Sequence, residues 1–554
     1  MDEKTKHNIR VAHYFDDKSA TDYLVKYRNI KELVEERGED SDTEYIVFYD
    51  DVKGKTSLTY GEFKEKAFKL GNYLLKQGIG FEDRIATFSH NHIDTVVLYY
   101  ACWCIGAVVV PINVNEEPDR VRYILDNSNT KIVFTRNEYE GKVGAIDGLA
   151  FSVVNFDEFD YSGYATELNL DYEGHFTKEC EAMIVYTSGT TGNPKGVVLT
   201  QYNLMIDACS IADWHELHKG DTMMCVLPIH HVNGTVVTIM TTMFYGGRLV
   251  LNQKFHTDKF FQRLSDEGVK VVSVVPTLLQ FLLHSDEDIK KYDLGKFSHI
   301  ICGAGPLTCE IARNFEERFG LRIVHGYGLS ETTCYSCFIP IHLSKDEHFK
   351  WQNDYGFPAI GIPINCNEMA IHDEKGNCLD EGEKGEIVIR GHNVMKYYFD
   401  NDEVNRVTFE FGWFRSGDEG FYEYDSAGHK YFFITGRLKE LIIRGGVNIS
   451  PLEIDEVLSG INGVKAGIAV AFDNDWYGEE VGALIIPENY PLESGAEEAL
   501  KEAVMTGCKA KLPFHKAPKV VMVSDTIPVT STGKYQRNKV KHLFTEYKTV
   551  QFKK

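Results

Sequence analysis

Hydrophobic positions first mark a helix near residue 60. Thr59-Tyr-Gly-Glu62 has capping-box spacing, and Phe63, Ala67, Leu70 and Leu74 fall on one face behind it. Gly78 predicts its end. Beyond it, helix-period and strand-period segments alternate, the pattern of βαβ units around a parallel sheet. The clearest unit is central. Ser298-His-Ile-Ile-Cys302 reads as a buried strand running into Gly303-Ala-Gly305-Pro306, and a helix from about Thr308 to Phe319 stops at Gly320. A second strand, Leu321-Arg-Ile-Val324, then enters His325-Gly-Tyr-Gly-Leu-Ser-Glu331. A right-handed crossover makes the two strands parallel. Both loops then share one carboxyl edge, where open α/β sheets bind ligands. Val271-Val-Ser-Val-Val275, ending at Pro276, is expected in the same sheet.

After Gly436 the pattern changes. Glu453–Leu458 reads as a helix, and Gly467–Ala471, Gly482–Ile486 and Lys519–Val523 read as strands. The expected fold is therefore α/β. A large N-terminal region, 1–436, has mostly parallel sheets and helices, and a small mobile α+β domain, 437–554, follows. Gly436-Arg-Leu-Lys439-Glu440 is charged and holds no Gly/Ser run, so a hinge is expected at Lys439 instead of a tether. The 554 residues are roughly three to four ordinary domains' worth of chain. Apolar residues at 43% and charged residues at 25% match a soluble globular protein. No internal repeat or low-complexity segment interrupts the pattern.

Charge narrows the partners. The 59 basic and 82 acidic side chains leave a net charge of −23. Such a surface repels nucleic acid and anionic lipid, which are excluded as partners. Any nucleotide must be held by cations gathered locally. Met1 to Arg10 is charged with no apolar run behind it, unlike a signal peptide. The most apolar stretch, Val96–Val110, is too short to span a bilayer. Twelve cysteines lack metal-ligand spacing, and the C-x-x-C of Cys334 and Cys337 has no second pair. A cytoplasmic protein with reduced thiols and no transmembrane segment is expected.

The strongest local chemistry follows Ala182-Met-Ile-Val-Tyr186. The loop Thr187-Ser-Gly-Thr-Thr-Gly-Asn-Pro-Lys-Gly196 gathers hydroxyls at Thr187, Ser188, Thr190 and Thr191 and glycines at 189, 192 and 196 around Lys195. Glycines let backbone N–H groups approach an anion, hydroxyls donate to phosphate oxygens, and lysine adds a mobile charge. The ordinary NTPase loop needs Gly before its lysine and Ser or Thr after it. Here Pro194 precedes and Gly196 follows, and Val197–Thr200 reads as a strand instead of a helix. A flexible Ser/Thr/Gly hairpin is the alternative for the Gly/Thr cluster taken alone.

This loop resembles the signature loop of the adenylate-forming superfamily, which includes acyl-CoA synthetases, coumarate-CoA ligases, luciferases and peptide-synthetase adenylation domains. Five further blocks occur in the family's order. They are Gly303-Ala-Gly305-Pro306-Leu307, Gly326-Tyr-Gly-Leu-Ser-Glu331, Gly412-Trp-Phe-Arg-Ser-Gly-Asp418, Gly436-Arg437-Leu-Lys439 and Pro528-Val-Thr-Ser-Thr-Gly-Lys534. The resemblance spans Thr59 to Arg537.

It implies two half-reactions. A carboxylate and MgATP give acyl-AMP and pyrophosphate, and a thiol then displaces AMP. In this reading Thr187, Ser188, Gly189, Thr190, Thr191, Gly192 and Lys195 hold phosphates. Gly303, Ala304, Gly305, Gly326, Tyr327, Gly328 and Ser330 surround the adenosine, with Tyr327 over the adenine. Asp418 accepts the ribose hydroxyls, Arg437 donates to ribose or phosphate, and Glu331 holds Mg²⁺. Lys534 is the catalytic lysine, its ammonium lying between carboxylate and α-phosphate. Each has a plainer reading: packing for Tyr327, a solvated carboxylate for Glu331, a turn for Asp418 after Gly417, a surface ion pair for Arg437 and solvent for Lys534. Ser330 and Ser416 stand where the family has threonine, and both keep the hydroxyl. No lysine stands at 443, so Gly446 is the weak remaining marker for coenzyme A.

Pro228-Ile-His-His231-Val-Asn-Gly234 resembles the acyl-CoA synthetase version of its block and lacks the aspartate of amino-acid-activating relatives. His231 either lines the acyl pocket or is satisfied in the core. Thr277, Cys302, Gly303, Gly326 and Tyr335 are candidate wall positions. Thr332-Thr-Cys-Tyr335 after Glu331 lacks the tryptophan that blocks the pocket in acetate-specific relatives, so the resemblance implies an acid larger than acetate, a fatty or aryl acid. Coenzyme A is the expected acceptor, because no carrier segment follows Lys534. A separate carrier protein, or a regulator that binds nucleotide without chemistry, stands as the alternative.

Overall fold

The structure is a computed structural model that describes residues 1–16, 18, 24–187, 193–492, 495–530 and 535–553. Ser188 to Gly192 and Lys534 therefore lie outside the described residues. The helix read at residue 60 is Tyr60–Lys76. Its capping box is formed by Glu62 N–H donating to Thr59 Oγ1 at 3.2 Å and Thr59 N–H donating to Glu62 Oε2 at 2.9 Å.

Two large sheets dominate the N-terminal region. One orders its described strands Ile362–Pro363, Cys337–Phe338, Arg322–Tyr327, His299–Cys302, Val271–Val274, Thr222–Cys225, Arg248–Asn252, Glu44–Asp50 and Gly54–Thr59. Val271–Val274, His299–Cys302 and Arg322–Tyr327 pair in parallel, as the crossover rule requires. The helix between the last two is Cys309–Phe319, capped by Thr308 and stopped by Gly320 at φ +65°. The other sheet orders Tyr397–Tyr398, Lys195–Thr200, Glu181–Thr187, Val108–Ile112, Arg84–Phe88, Ile132–Thr135 and Ser152–Asn155. Its phosphate-loop strands pair antiparallel with each other, Tyr397–Tyr398 adds antiparallel to Lys195–Thr200, and the remaining pairs are parallel. The apolar stretch from Val96 supplies the buried helix Ile93–Cys104 and the buried strand Val108–Ile112. Trp103 at its centre donates Nε1–H to Ala182 O at 2.9 Å, which ties that helix to the strand before the loop.

A third, four-stranded sheet is wholly antiparallel: Asn367–His372, Gly385–Gly391, Phe414–Tyr424 and Lys430–Arg437. Arg437 is the last residue of that sheet, and the turn Leu438–Glu440 follows it. The small domain then builds its own core. Helix Pro451–Ser459 packs on strands Val464–Asn474 and Gly478–Pro487, and Val520–Val523 adds in parallel to the latter. Arg537 ties the C-terminal segment to this core: the guanidinium donates to Asp455 Oδ1 at 3.1 Å and to Ala469 O at 2.9 Å. Among the described residues no helix is long and apolar enough to cross a membrane.

Candidate active site

A cavity of about 140 Å³ lies at the carboxyl edge of the large sheet, roofed by the small domain. Its floor is the turn at Ala304 and Gly305 with Gly326, Tyr327 and Gly328; its side is Asp418, Gly436 and Arg437. Glu440, Leu452, Tyr535 and Arg537 close it from beyond the turn. The antiparallel register sets Asp418 directly opposite Arg437. Asp418 is 1% exposed, and Tyr327 donates its hydroxyl to Asp418 Oδ2 at 2.6 Å. Arg437 Nε lies 3.0 Å from Asp418 Oδ1, but off the hydrogen-bonding line, so among the described residues this buried oxygen has no aligned donor. A ribose hydroxyl is the donor such an acceptor needs. Asp418 holds the Arg437 guanidinium firmly protonated, and burial, with that carboxylate beside it, does the same for the Tyr327 phenol.

Ser416 shows why a hydroxyl is kept there. It donates to Ile387 O at 2.6 Å and accepts Asp418 N–H at 3.0 Å, so it sets the aspartate's backbone. Asp418 sits within a strand, not in a turn.

Strands Glu181–Thr187 and Lys195–Thr200 bring Thr187 and Lys195 face to face at the mouth of the phosphate loop. The strand after Lys195 ends on Thr200, which caps helix Gln201–Trp214. Gly196 is required by packing: a Cβ there would stand 2.9 Å from Ile184 and 3.3 Å from Phe399. Burial lowers the affinity of Lys195 for its proton, the nearby Lys439 charge lowers it further, and Glu331 opposes both. Glu331 lies in the short turn Ser330–Thr332, and its Oε1 accepts the Tyr398 hydroxyl at 2.8 Å. Lys195 Nζ stands 5.1 Å over the ring of that same Tyr398. Among the described residues no group of three or more His, Cys, Asp and Glu could hold a metal by itself. Mg²⁺ needs none, since it is bound through one or two carboxylates plus substrate phosphates. A single carboxylate beside a phosphate-seeking lysine fits that ion.

The expected acyl wall is only partly assembled. Gly303 faces Tyr335, whose oxygen would lie 2.5 Å from a Cβ at 303. Tyr335 is fully buried and accepts Asn233 Nδ2–H at 3.2 Å, and Asn233 Oδ1 in turn accepts Ser273 Oγ–H at 2.8 Å. Thr333 turns the chain between Glu331 and Tyr335 at φ +63°, ψ −55°, a strained γ-turn closed by Cys334 N–H to Thr332 O at 2.7 Å. Cys302 faces the opposite way, into the cluster with Val275, Leu279 and Ile311. Thr277 is in the first turn of helix Pro276–Leu283. His231 precedes the π-helix Asn233–Met240 with its ring 4.4 Å from that of His230. Gly446, at φ +84°, forms with Gly445 the tip of the hairpin Ile442–Ile449, where Ile443 and Val447 are about half exposed.

Three residues that sequence reasoning did not single out belong to the site. Tyr535 and Arg537 line the cavity immediately after Lys534, and Tyr398 joins Lys195 to Glu331. Arg537 closed the stretch of resemblance, so position alone could have marked it. Lys396-Tyr-Tyr-Phe399 carries no spacing that would have marked Tyr398.

The comparisons agree with this architecture. The family model described as AMP-binding enzyme matches residues 34–399. An oxalate–CoA ligase of Arabidopsis thaliana is 30% identical, with 89% of this chain and 95% of that protein covered. A sulfoacetate–CoA ligase of Cupriavidus necator is 31% identical, with 87% and 92% covered. The crystal structure of ATP-bound MatB from Rhodopseudomonas palustris superposes with a TM-score of 0.81 at 25% identity, covering 94% of this chain and 100% of that one. The chain belongs to the AMP-binding enzyme family, the adenylate-forming acyl-CoA synthetases. Within that family it is an AMP-forming acyl-CoA ligase.

Proposed function

We propose that this ligase activates a carboxylic acid larger than acetate, of the fatty or aryl class, and passes the acyl group to coenzyme A. The supporting observation is the unsatisfied Asp418 oxygen, buried beside Tyr327 and Arg437 in a cavity that the small domain closes. In this reading adenine lies against Tyr327 and the Ala304–Gly305 turn, the ribose hydroxyls meet Asp418, and the phosphates run toward Lys195 and the loop 187–192. Mg²⁺, held by Glu331 and the phosphates, supplies charge neutralisation. The acid's carboxylate oxygen bonds to the α-phosphorus while the bond to pyrophosphate breaks. Lys534, one residue before the cavity-lining Tyr535 in the sequence, stabilises the charge crowded there, and Lys195 holds the leaving pyrophosphate. The thiol of coenzyme A then displaces AMP. For that step the domain 437–554 pivots at Lys439 and presents the Gly446 hairpin.

The relatives act on oxalate, sulfoacetate, feruloyl and indoleacetate groups by name, all larger than acetate. Pyrophosphate release over a panel of short, medium, long and aryl acids tests the reading. Silence across the panel with folded protein overturns it. AMP release that needs coenzyme A supports that acceptor, and release that needs a carrier protein replaces it.

A further inference from the structure

Tyr398 lies outside every motif that carries the family resemblance, yet it touches both charged groups of the phosphate corner. Its strand, Tyr397–Tyr398, pairs antiparallel with the strand that leaves the phosphate loop, setting Tyr398 opposite Val197. The backbone is held on its other side by one side chain. Asn405 Oδ1 accepts Tyr398 N–H and Asn405 Nδ2–H donates to Tyr398 O, both at 2.8 Å. Phe399 N–H donates to Gly196 O at 2.7 Å, so the tyrosine's segment is tied to the strand that carries Lys195. From this fixed backbone the ring is buried, with 6% of its surface exposed.

The ring then works at two points. Its hydroxyl donates to Glu331 Oε1 at 2.8 Å, and its face lies beneath the Lys195 ammonium, 5.1 Å from Nζ to centroid. The Glu331 backbone is pinned separately, by Met395 N–H donating to Glu331 O at 2.8 Å. A carboxylate held at one oxygen has lost its rotational freedom and offers the other to a cation. An ammonium over an aromatic face keeps a weak electrostatic partner that phosphate can displace.

We propose that Tyr398 is a positioning residue for adenylation: its hydroxyl aims Glu331 at the metal of MgATP, and its ring holds Lys195 ready for the phosphates. This rests on the reading of Glu331 as the metal holder. Groups that orient metal ligands typically matter by about 10- to 100-fold in metal affinity.

The test is calorimetric titration of the full-length protein with ATP, with and without Mg²⁺, beside thioester formation from supplied acyl-AMP. Tyr398→Phe is expected to lose about tenfold of the Mg²⁺-dependent gain in ATP affinity. It is expected to keep metal-free ATP binding and the thioester step. Tyr398→Leu, which also removes the ring face, is expected to weaken metal-free binding as well. Equal metal-free binding in the two variants overturns the Lys195 half of the proposal. A full Mg²⁺-dependent gain in Tyr398→Phe overturns the Glu331 half, provided that Glu331→Gln loses the gain. If Glu331→Gln keeps it too, the metal-holding reading itself falls. Should Tyr398→Phe also lose the thioester step, the double variant decides: losses that add to those of Glu331→Gln overturn the proposal, since action through Glu331 leaves nothing to add.

Discussion

Asp418 and Lys195 are both placed by antiparallel strand pairs, but they meet different surroundings. Asp418 faces Arg437 across its ladder, accepts the Tyr327 hydroxyl and has its backbone set by Ser416. Its corner is built by the chain's own groups, and among the described residues one buried oxygen has no aligned donor. Lys195 stands at the start of its strand, where burial and Lys439 both work against its charge. Among the described residues Glu331 and the Tyr398 ring favour it there. In the proposed function phosphate relieves that cost on binding, so the rigid corner serves recognition of the nucleoside and the charge-hungry corner follows phosphate charge through the reaction.

If the two corners divide recognition from chemistry, their variants separate. The largest effect is expected beside the phosphates. Lys534→Ala should lower the rate of pyrophosphate release by about a thousandfold, the upper range for one transition-state electrostatic contact. Thioester formation from supplied acyl-AMP should survive, and equal loss of both half-reactions would reject the role. Next comes the ribose corner. Asp418→Ala leaves Arg437 unpaired and removes the ribose acceptor, a loss of about 1.5–3 kcal/mol for hydrogen bonds to a charged group. ATP binding should weaken by roughly 10- to 100-fold, and 2′-deoxy-ATP, expected to bind wild type less well than ATP, should become equivalent to ATP in the variant. Continued discrimination between the two nucleotides would remove Asp418 from the ribose.

Much of this was readable in residue order because the relevant signals are local. The capping box at Thr59, the Gly320 helix stop and the parallel strands 271–274, 299–302 and 322–327 each follow from a few neighbouring residues. The third sheet was not read, since its antiparallel strands are joined by connections as unequal as 425–429 and 392–413 and show only weak alternation of apolar and polar residues, as in 414–424. Asp418 was therefore readable as a motif residue, but its bond to Tyr327, 91 positions away, was not. Tyr398 meets Glu331 67 positions earlier and Lys195 203 positions earlier through sheet pairing alone. Tyr335 was read as a wall, but only its packing against Gly303 and its link to Asn233 show that it fills space.

The smallest effect concerns the contact that holds the roof over both corners. Glu456, on the small domain's helix Pro451–Ser459, accepts Cys309 N–H with its two oxygens at 3.1 and 3.0 Å. Cys309 opens the helix that follows the Gly303–Pro306 turn, so the latch couples the roof to the adenine floor. Burial, reinforced by Glu310, pushes the Glu456 carboxyl up to about 7. Arg313 and Lys511 act on Glu310 in the opposite sense. A free glutamate titrates near 4.3. Below that pH the group is neutral whether docked or not, and docking carries no penalty. Between about 4.3 and 7 docking must take up a proton, so closure weakens as pH rises, and above 7 the penalty is constant. The helix N-terminus offsets part of it, by about 0.3–1 kcal/mol. Energy transfer between labels on the two regions should therefore show the docked fraction falling a few-fold from pH 5 to 8. Glu456→Gln, neutral throughout, should flatten that profile while leaving the Lys534 and Asp418 effects in place. An identical slope in the glutamine variant would assign the pH dependence to another group and detach the roof from this carboxylate.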